Sequence, residues 1–141
     1  MRRRTRRTLY ALCCLGLGCG SGASVQQGFG TAPLITVTSD SGALKLAVYT
    51  DPQPPTEGSL SVRYVITDAT SAQPVDGLSL SIVPWMPAMG HGTSVVPSVS
   101  AGGGGVYNLS NVYLFMPGQW QLRTAISGAV TDSAAPELMV Q

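Results

Sequence analysis

The sequence predicts an all-β domain in which antiparallel strands pack as a sandwich. Beyond residue 31, short runs of alternating apolar and polar residues are separated by clusters of Gly, Pro, Asp and Ser. This pattern is typical of antiparallel strands joined by turns. No stretch after residue 20 keeps the helical spacing of apolar residues. The fold class therefore follows from the presence of a two-residue period and the absence of a helical one.

We predict seven strands, at about residues 34–38, 44–50, 60–68, 78–84, 106–115, 119–127 and 136–140. The alternation is clearest in the second predicted strand, where Leu44, Leu46 and Val48 share one face. We therefore expect one face of the sheet to be buried and the other to be exposed to solvent. Seven strands over roughly 110 residues fit an immunoglobulin-like β-sandwich. A barrel is the alternative. The large side chains expected in the core are Tyr64, Tyr107, Tyr113, Phe115 and Trp120.

Proline, glycine and aspartate mark the connections. Residues 51–58 contain three prolines and cannot continue a central strand. Residues 69–77 end in turn-forming residues, including Asp76 and Gly77. The four glycines at 102–105 lack the helix and the lysine of a phosphate-binding loop. We therefore expect a hairpin connection there.

The N-terminus has the order of a bacterial export signal. Five of the first seven residues are arginine, residues 9–17 are apolar, and small residues follow to position 24. The apolar run is too short to span a bilayer, which needs about 20 residues. Cys19 resembles the lipidated cysteine of a bacterial lipoprotein, with simple cleavage after Ala23 as the alternative. We expect a signal at 1–19, a flexible tether at 20–31 and a folded domain at 32–141, on the periplasmic side of the cell envelope and lipid-anchored to a membrane.

Removal of this signal changes the charge and the cysteine content. All three cysteines lie within the first 19 residues, so the domain has no disulfide and no thiolate ligand. Three basic residues then face seven acidic residues, and 3 minus 7 gives a net charge of −4. Nucleic acid is an unsuitable partner for such a domain.

Residues 84–92 (PWMPAMGHG) hold the only histidine of the chain, His91, and two of its five methionines, Met86 and Met89. Thioether and imidazole groups form a soft ligand set that suits Cu(I). Trp85 is a candidate cation–π neighbour, and Met116 is an additional candidate ligand if its loop lies at the same end of the sandwich. The alternative is that the methionines fill an irregular core while His91 lies in a glycine turn.

Catalysis is not expected. A Ser-His-Asp triad would have to use His91, and no Gly-x-Ser-x-Gly elbow is present. The acidic residues are mostly placed in predicted turns, and the domain cannot supply the Cys and His ligands of a zinc site. The sequence therefore favours a binding protein over an enzyme.

Three ordered motifs resemble the bacterial FixH/YtkA-like family: WMPAMGHG at 85–92, GVY at 105–107 and MPGQWQL at 116–122. The resemblance covers roughly residues 44–140. FixH-type members are membrane-tethered proteins linked to respiratory oxidase assembly, with a proposed role in copper delivery; this chain differs in having a cleavable signal or lipid anchor. The resemblance implies a Cu(I)-binding module in copper handling or oxidase assembly, whose partner is an envelope protein such as a copper-dependent oxidase or transporter. The alternative is a structural or protein-interaction module without a metal.

Overall fold

The computed structural model describes residues 28–141, and this part of the chain contains ten β-strands and no helix. It accordingly contains no helix long and apolar enough to cross a membrane. The strands are β1 (Ile35–Thr38), β2 (Leu44–Asp51), β3 (Gly58–Asp68), β4 (Leu78–Met86), β5 (His91–Gly92), β6 (Ser98–Gly103), β7 (Val106–Leu114), β8 (Gly118–Gly128), β9 (Asp132–Ala134) and β10 (Glu137–Val140).

The strands form two antiparallel sheets that pack face to face. Sheet 1 has the order β1-β2-β3-β7-β6, and sheet 2 has the order β10-β8-β4-β5, with β9 also paired to β8. Side chains alternate between the core and solvent along the long strands, as in the β2 pattern that begins with buried Leu44 and exposed Lys45. The predicted antiparallel sandwich is confirmed, because the strands form two separate sheets and not a closed barrel.

The seven predicted strands correspond to β1, β2, β3, β4, β7, β8 and β10, and the structure adds β5, β6 and β9. Strand β5 has only two residues, and β6 consists mainly of small residues and has no fully buried position. Strands β9 and β10 lie along the same edge of β8, and the N–H of Leu122 donates to the C=O of Pro136 between them at 2.9 Å. None of the three additional strands has the alternation that identifies a strand from sequence.

The core lies between the two sheets, and its largest side chains are three of the predicted aromatics. Trp120 and Tyr64 are 0% exposed and Tyr107 is 1% exposed. The prediction that Tyr113 is a core residue is wrong, because it lies between two inward-pointing neighbours of β7 and is 39% exposed. Phe115 is half-buried and packs against the core.

The predicted hairpin at the four glycines is confirmed as the connection between β6 and β7. The carboxylate of Asp76 accepts hydrogen bonds from the N–H groups of Gly104 and Gly105, at 3.2 and 2.8 Å. Gly105 has a φ of +75°, and a Cβ there would collide with the C=O of Ile66. Only glycine fits this position, so the run has a structural explanation.

The predicted signal, Cys19 and most of the predicted tether lie outside the described residues. Residues 28–31, at the end of that tether, lie within the described part of the chain. Phe29 is half-buried, and the guanidinium carbon of Arg63 lies 4.1 Å from its ring centroid. This contact fixes the start of the described chain against the outer face of sheet 1.

One end of the sandwich combines two connections from the predicted site. The chain passes from β7 in sheet 1 to β8 in sheet 2 through residues 115–117. The turn between β4 and β5 lies at the same end, because β4 runs antiparallel to β8 and its last residues are opposite the start of β8. We call this the Met/His end, after Met86, Met89, His91 and Met116.

Candidate functional site

The turn between β4 and β5 places the first two methionines in different environments. The N–H of Met89 donates to the C=O of Met86 at 3.2 Å, and Pro87 at the second turn position favours this conformation. Gly90 has a φ of +66°, which returns the chain into β5. Met86 is 4% exposed at the end of β4, whereas Met89 is 54% exposed in the turn.

His91 lies directly opposite Met86 in the β4–β5 pair. Directly opposed residues share one face of a sheet, with Cβ atoms about 5 Å apart. The His91 ring is half-buried and stacks on Phe115, with ring centroids 5.8 Å apart and an angle of 12° between the planes. Phe115 in turn packs edge-on against the buried Trp120 at 5.3 Å. The imidazole is thus held against an aromatic stack that reaches the core.

The connection between β7 and β8 is fixed by Trp120. Its Nε1–H donates to the C=O of Met116 at 3.0 Å, which positions the backbone of the Met116-Pro117-Gly118 segment. Met116 is half-buried and packs against the core. A Cβ at Gly118 would lie 3.0 Å from the Cε of Met86, so the first methionine of the turn reaches the start of β8. The two loops therefore touch.

These contacts answer the question that the sequence left open about Met116. The structure brings Met86, His91 and the segment containing Met116 to one end of the sandwich, with Met89 at the tip of the adjoining turn. Thioether sulfur and imidazole nitrogen are the donor atoms that these four side chains offer, and they match a soft cation such as Cu(I).

Trp85 lies apart from this group. Strand β4 extends to Met86, and successive side chains of a strand point to opposite faces. Met86 therefore faces the core, while Trp85 lies on the outer face of sheet 2. There, the guanidinium carbon of Arg123 lies 4.4 Å from the Trp85 ring centroid. The ring has a cation–π partner, but that partner is an arginine of the same chain.

Two acidic side chains, Asp68 and Asp132, accept hydrogen bonds from nearby serines. Hydrogen bonds from the hydroxyl groups of Ser39 and Ser41 lower the pKa of Asp132 to about 2. The N–H and hydroxyl of Ser71 lower the pKa of Asp68 below its usual range. Within residues 28–141, no group of three or more His, Cys, Asp or Glu residues is arranged to hold a metal ion.

Sequence reasoning missed the roles of two residues at this end, since Phe115 was expected only in the core and Gly118 was not considered as a contact. Phe115 directly precedes Met116, and an aromatic residue next to a candidate ligand was the available signal. The contact between Gly118 and Met86 depends on the pairing of β4 with β8, which no local pattern encodes.

The fold and the motifs agree with a comparison against protein families. The model of the YtkA-like family matches residues 38–125, which is more than half of the chain and includes both loops of the Met/His end. Searches of curated proteins and of solved structures found no match. The chain therefore belongs to the YtkA-like family.

Proposed function

We propose that this protein is a non-catalytic Cu(I)-binding module of the cell envelope, and that the Met/His end is its binding site. The observation that carries the proposal is the contact between the two loops. His91 stacks on Phe115, and Met86 reaches Gly118, on either side of Met116. The only imidazole of the chain and three of its five thioethers therefore lie at one end of one domain.

The four candidate ligands differ in how easily they can be reached. Met89 is 54% exposed in the turn and His91 is half-buried, so these two side chains are accessible from solvent. Met116 is half-buried in the neighbouring loop, and Met86 is 4% exposed. We propose Met89, His91 and Met116 as the accessible ligands, with Met86 as an inner sulfur that completes the set after a side-chain rotation. Methionine is unbranched and flexible enough for such a rotation.

An exposed ligand also suits the transfer of Cu(I) to another protein. Met89 is exposed, so its sulfur can be approached from solvent without unfolding the turn. The hydrogen bond from its N–H to the C=O of Met86 holds the backbone of the turn. We propose an envelope partner that accepts or supplies copper, such as a copper-dependent oxidase or transporter. The arginine-rich N-terminus followed by an apolar run supports export, and Cys19 is the proposed site of lipid attachment.

A second candidate function is a protein-interaction or structural module without a metal. The observation that favours it is the burial of Met86, whose methyl group packs against the backbone of β8. In this case, the methionines of the Met/His end act as core and gap-filling residues.

Titration with Cu(I) against a competing chromophoric chelator distinguishes the two. We expect one Cu(I) per domain, and the double variant Met89→Leu with His91→Ala should bind it at least about tenfold more weakly, or about 1.4 kcal/mol. Met139→Leu is the matched control, because Met139 is also exposed (61%) but lies on the outer face of β10. No Cu(I) binding by the parent would support the metal-free function, and equal binding by the parent and the double variant would rule out the Met/His end as the site.

A further inference from the structure

The outer face of sheet 2 carries a groove that the Met/His end does not use. Its volume is about 560 Å³. The lining is mainly apolar and includes Val83, Trp85 and Ala125, with Arg123 and Asp40 as its charged residues. Val83 is 49% exposed in the middle of β4. Tryptophan and arginine are both enriched in binding surfaces relative to the rest of a protein surface.

Arg123 is held in place within this groove. Its guanidinium lies over the Trp85 ring at 4.4 Å, and its Nε donates to Oε1 of Gln121 at 3.3 Å. Within residues 28–141, Gln121 is the one hydrogen-bond acceptor of the Arg123 side chain, and no carboxylate forms an ion pair with it. Both terminal amino groups of the guanidinium are therefore available to a ligand.

An acidic side chain on the outer face of sheet 2, Glu137, already has hydrogen-bond partners of its own. Glu137 on β10 accepts hydrogen bonds from Nε2 of Gln119 at 2.5 Å and from Nε2 of Gln121 at 3.0 Å. Its carboxylate thus orients Gln121, and Gln121 in turn orients Arg123. This chain of contacts orients the guanidinium, and no carboxylate within residues 28–141 forms an ion pair with it.

A stacked arginine with free amino groups is suited to bidentate binding of a carboxylate. The groove is open to solvent, whereas sites for small molecules bury most of the ligand surface. We propose that this groove binds an extended segment of a partner protein in which a Glu or Asp side chain is flanked by apolar residues. The carboxylate pairs with Arg123, and the apolar side chains cover Val83 and Trp85.

Asp40 gives the proposed segment a direction. It lines the same groove, and its carboxylate accepts a hydrogen bond from the hydroxyl of Ser133 at 2.5 Å. A second acidic residue of the partner would be repelled there. The partner segment is therefore expected to place its acidic residue at the Arg123 side of the groove and a neutral or basic residue at the Asp40 side.

The test is an NMR titration with two synthetic peptides that differ at one position. The probes are acetylated and amidated Val-Leu-Glu-Val-Leu and its counterpart with Gln in place of Glu. We expect the Glu peptide to shift the backbone amides of Val83 and Ala125, and the Gln peptide to bind about tenfold more weakly, the value of one charge-assisted hydrogen-bonded pair. Arg123→Gln should reduce binding of the Glu peptide by the same factor.

Arg63→Gln is the matched control. Arg63 also stacks on an aromatic ring, that of Phe29, and its Nε also bonds a side-chain amide, that of Asn108, but it lies on sheet 1. The Arg63→Gln variant should bind the Glu peptide as tightly as the parent does. The proposal would be overturned by equal binding of the two peptides or by an equal loss of peptide binding in both arginine variants. It would also be overturned if neither peptide shifted any signal up to about 5 mM.

Discussion

Replacing Tyr107 with phenylalanine should destabilise the domain about two to four times as much as the same change at Tyr64. Both rings are buried, so the difference comes from their hydroxyl groups. The Tyr107 hydroxyl donates to the C=O of Val75 at 2.9 Å and accepts from the N–H of Leu78 at 3.1 Å. Its loss leaves two backbone groups unpaired, at about 1–2 kcal/mol each, or about 2–4 kcal/mol in total.

The Tyr64 hydroxyl has one partner, the hydroxyl of Thr124 at 3.2 Å. The Thr124 hydroxyl also donates to the C=O of Leu122 at 3.0 Å, so it keeps a partner after the change. Tyr64→Phe should therefore cost only about 1 kcal/mol.

Urea denaturation measures both free energies of unfolding, and thermal unfolding checks them. For a domain of this size, 1 kcal/mol corresponds to about 4 °C in Tm. Tyr107→Phe should then lower Tm by about 8–16 °C and Tyr64→Phe by about 4 °C. A cost for Tyr64→Phe equal to or larger than that for Tyr107→Phe would refute the assignment of the two backbone partners to Tyr107.

Three further changes test the packing and the charges. Met86→Ala should lower the free energy of unfolding by about 2–5 kcal/mol and Met86→Leu by less than about 1.5 kcal/mol in urea denaturation, because the side chain fills the core. Gly92→Ala should lower the free energy of unfolding by about 1–3 kcal/mol and move the NMR signals of the His91 ring, because the new methyl group collides with the C=O of Pro84. Gly102→Ala is the control. Its methyl group meets only side-chain atoms at 3.3 Å or more, so it should lower the free energy of unfolding by less. Because the pKa of Asp132 is lower in the folded state, its ionised carboxylate stabilises the fold above about pH 4, and this contribution is lost as the pH falls towards 2. Asp132→Asn should therefore flatten the plot of unfolding free energy against pH in that range. An unchanged slope would contradict the assigned hydrogen bonds.

The core strands were predictable because their period of two is visible in the sequence. Leu44, Leu46 and Val48 alternate with more exposed neighbours, and the structure buries all three. Strand β6 was not predictable, since Ser98–Gly103 consists mainly of small residues at an exposed edge. Its place in sheet 1 depends on pairing with β7, which is a tertiary interaction.

The candidate site was predictable in composition but not in geometry. The motif around His91 identified the side chains, and the crossing from β7 to β8 decides that Met116 joins them. The role expected for Trp85 depended on where β4 ends. The predicted strand stopped at residue 84, whereas the observed strand continues to Met86 and so places Trp85 and Met86 on opposite faces.

The most direct test of the proposed Cu(I) site is methyl NMR of the domain with its methionines labelled at Cε. On addition of one equivalent of Cu(I), the methyl signals of Met89 and Met116 should shift together and reach their end point at a ratio of one to one, with a smaller shift at Met86. The Met139 signal should stay in place, because that side chain lies on the outer face of sheet 2. The proposed site would be contradicted if the Met139 signal shifted as much as the Met89 signal, or if none of the four methionine methyl signals shifted.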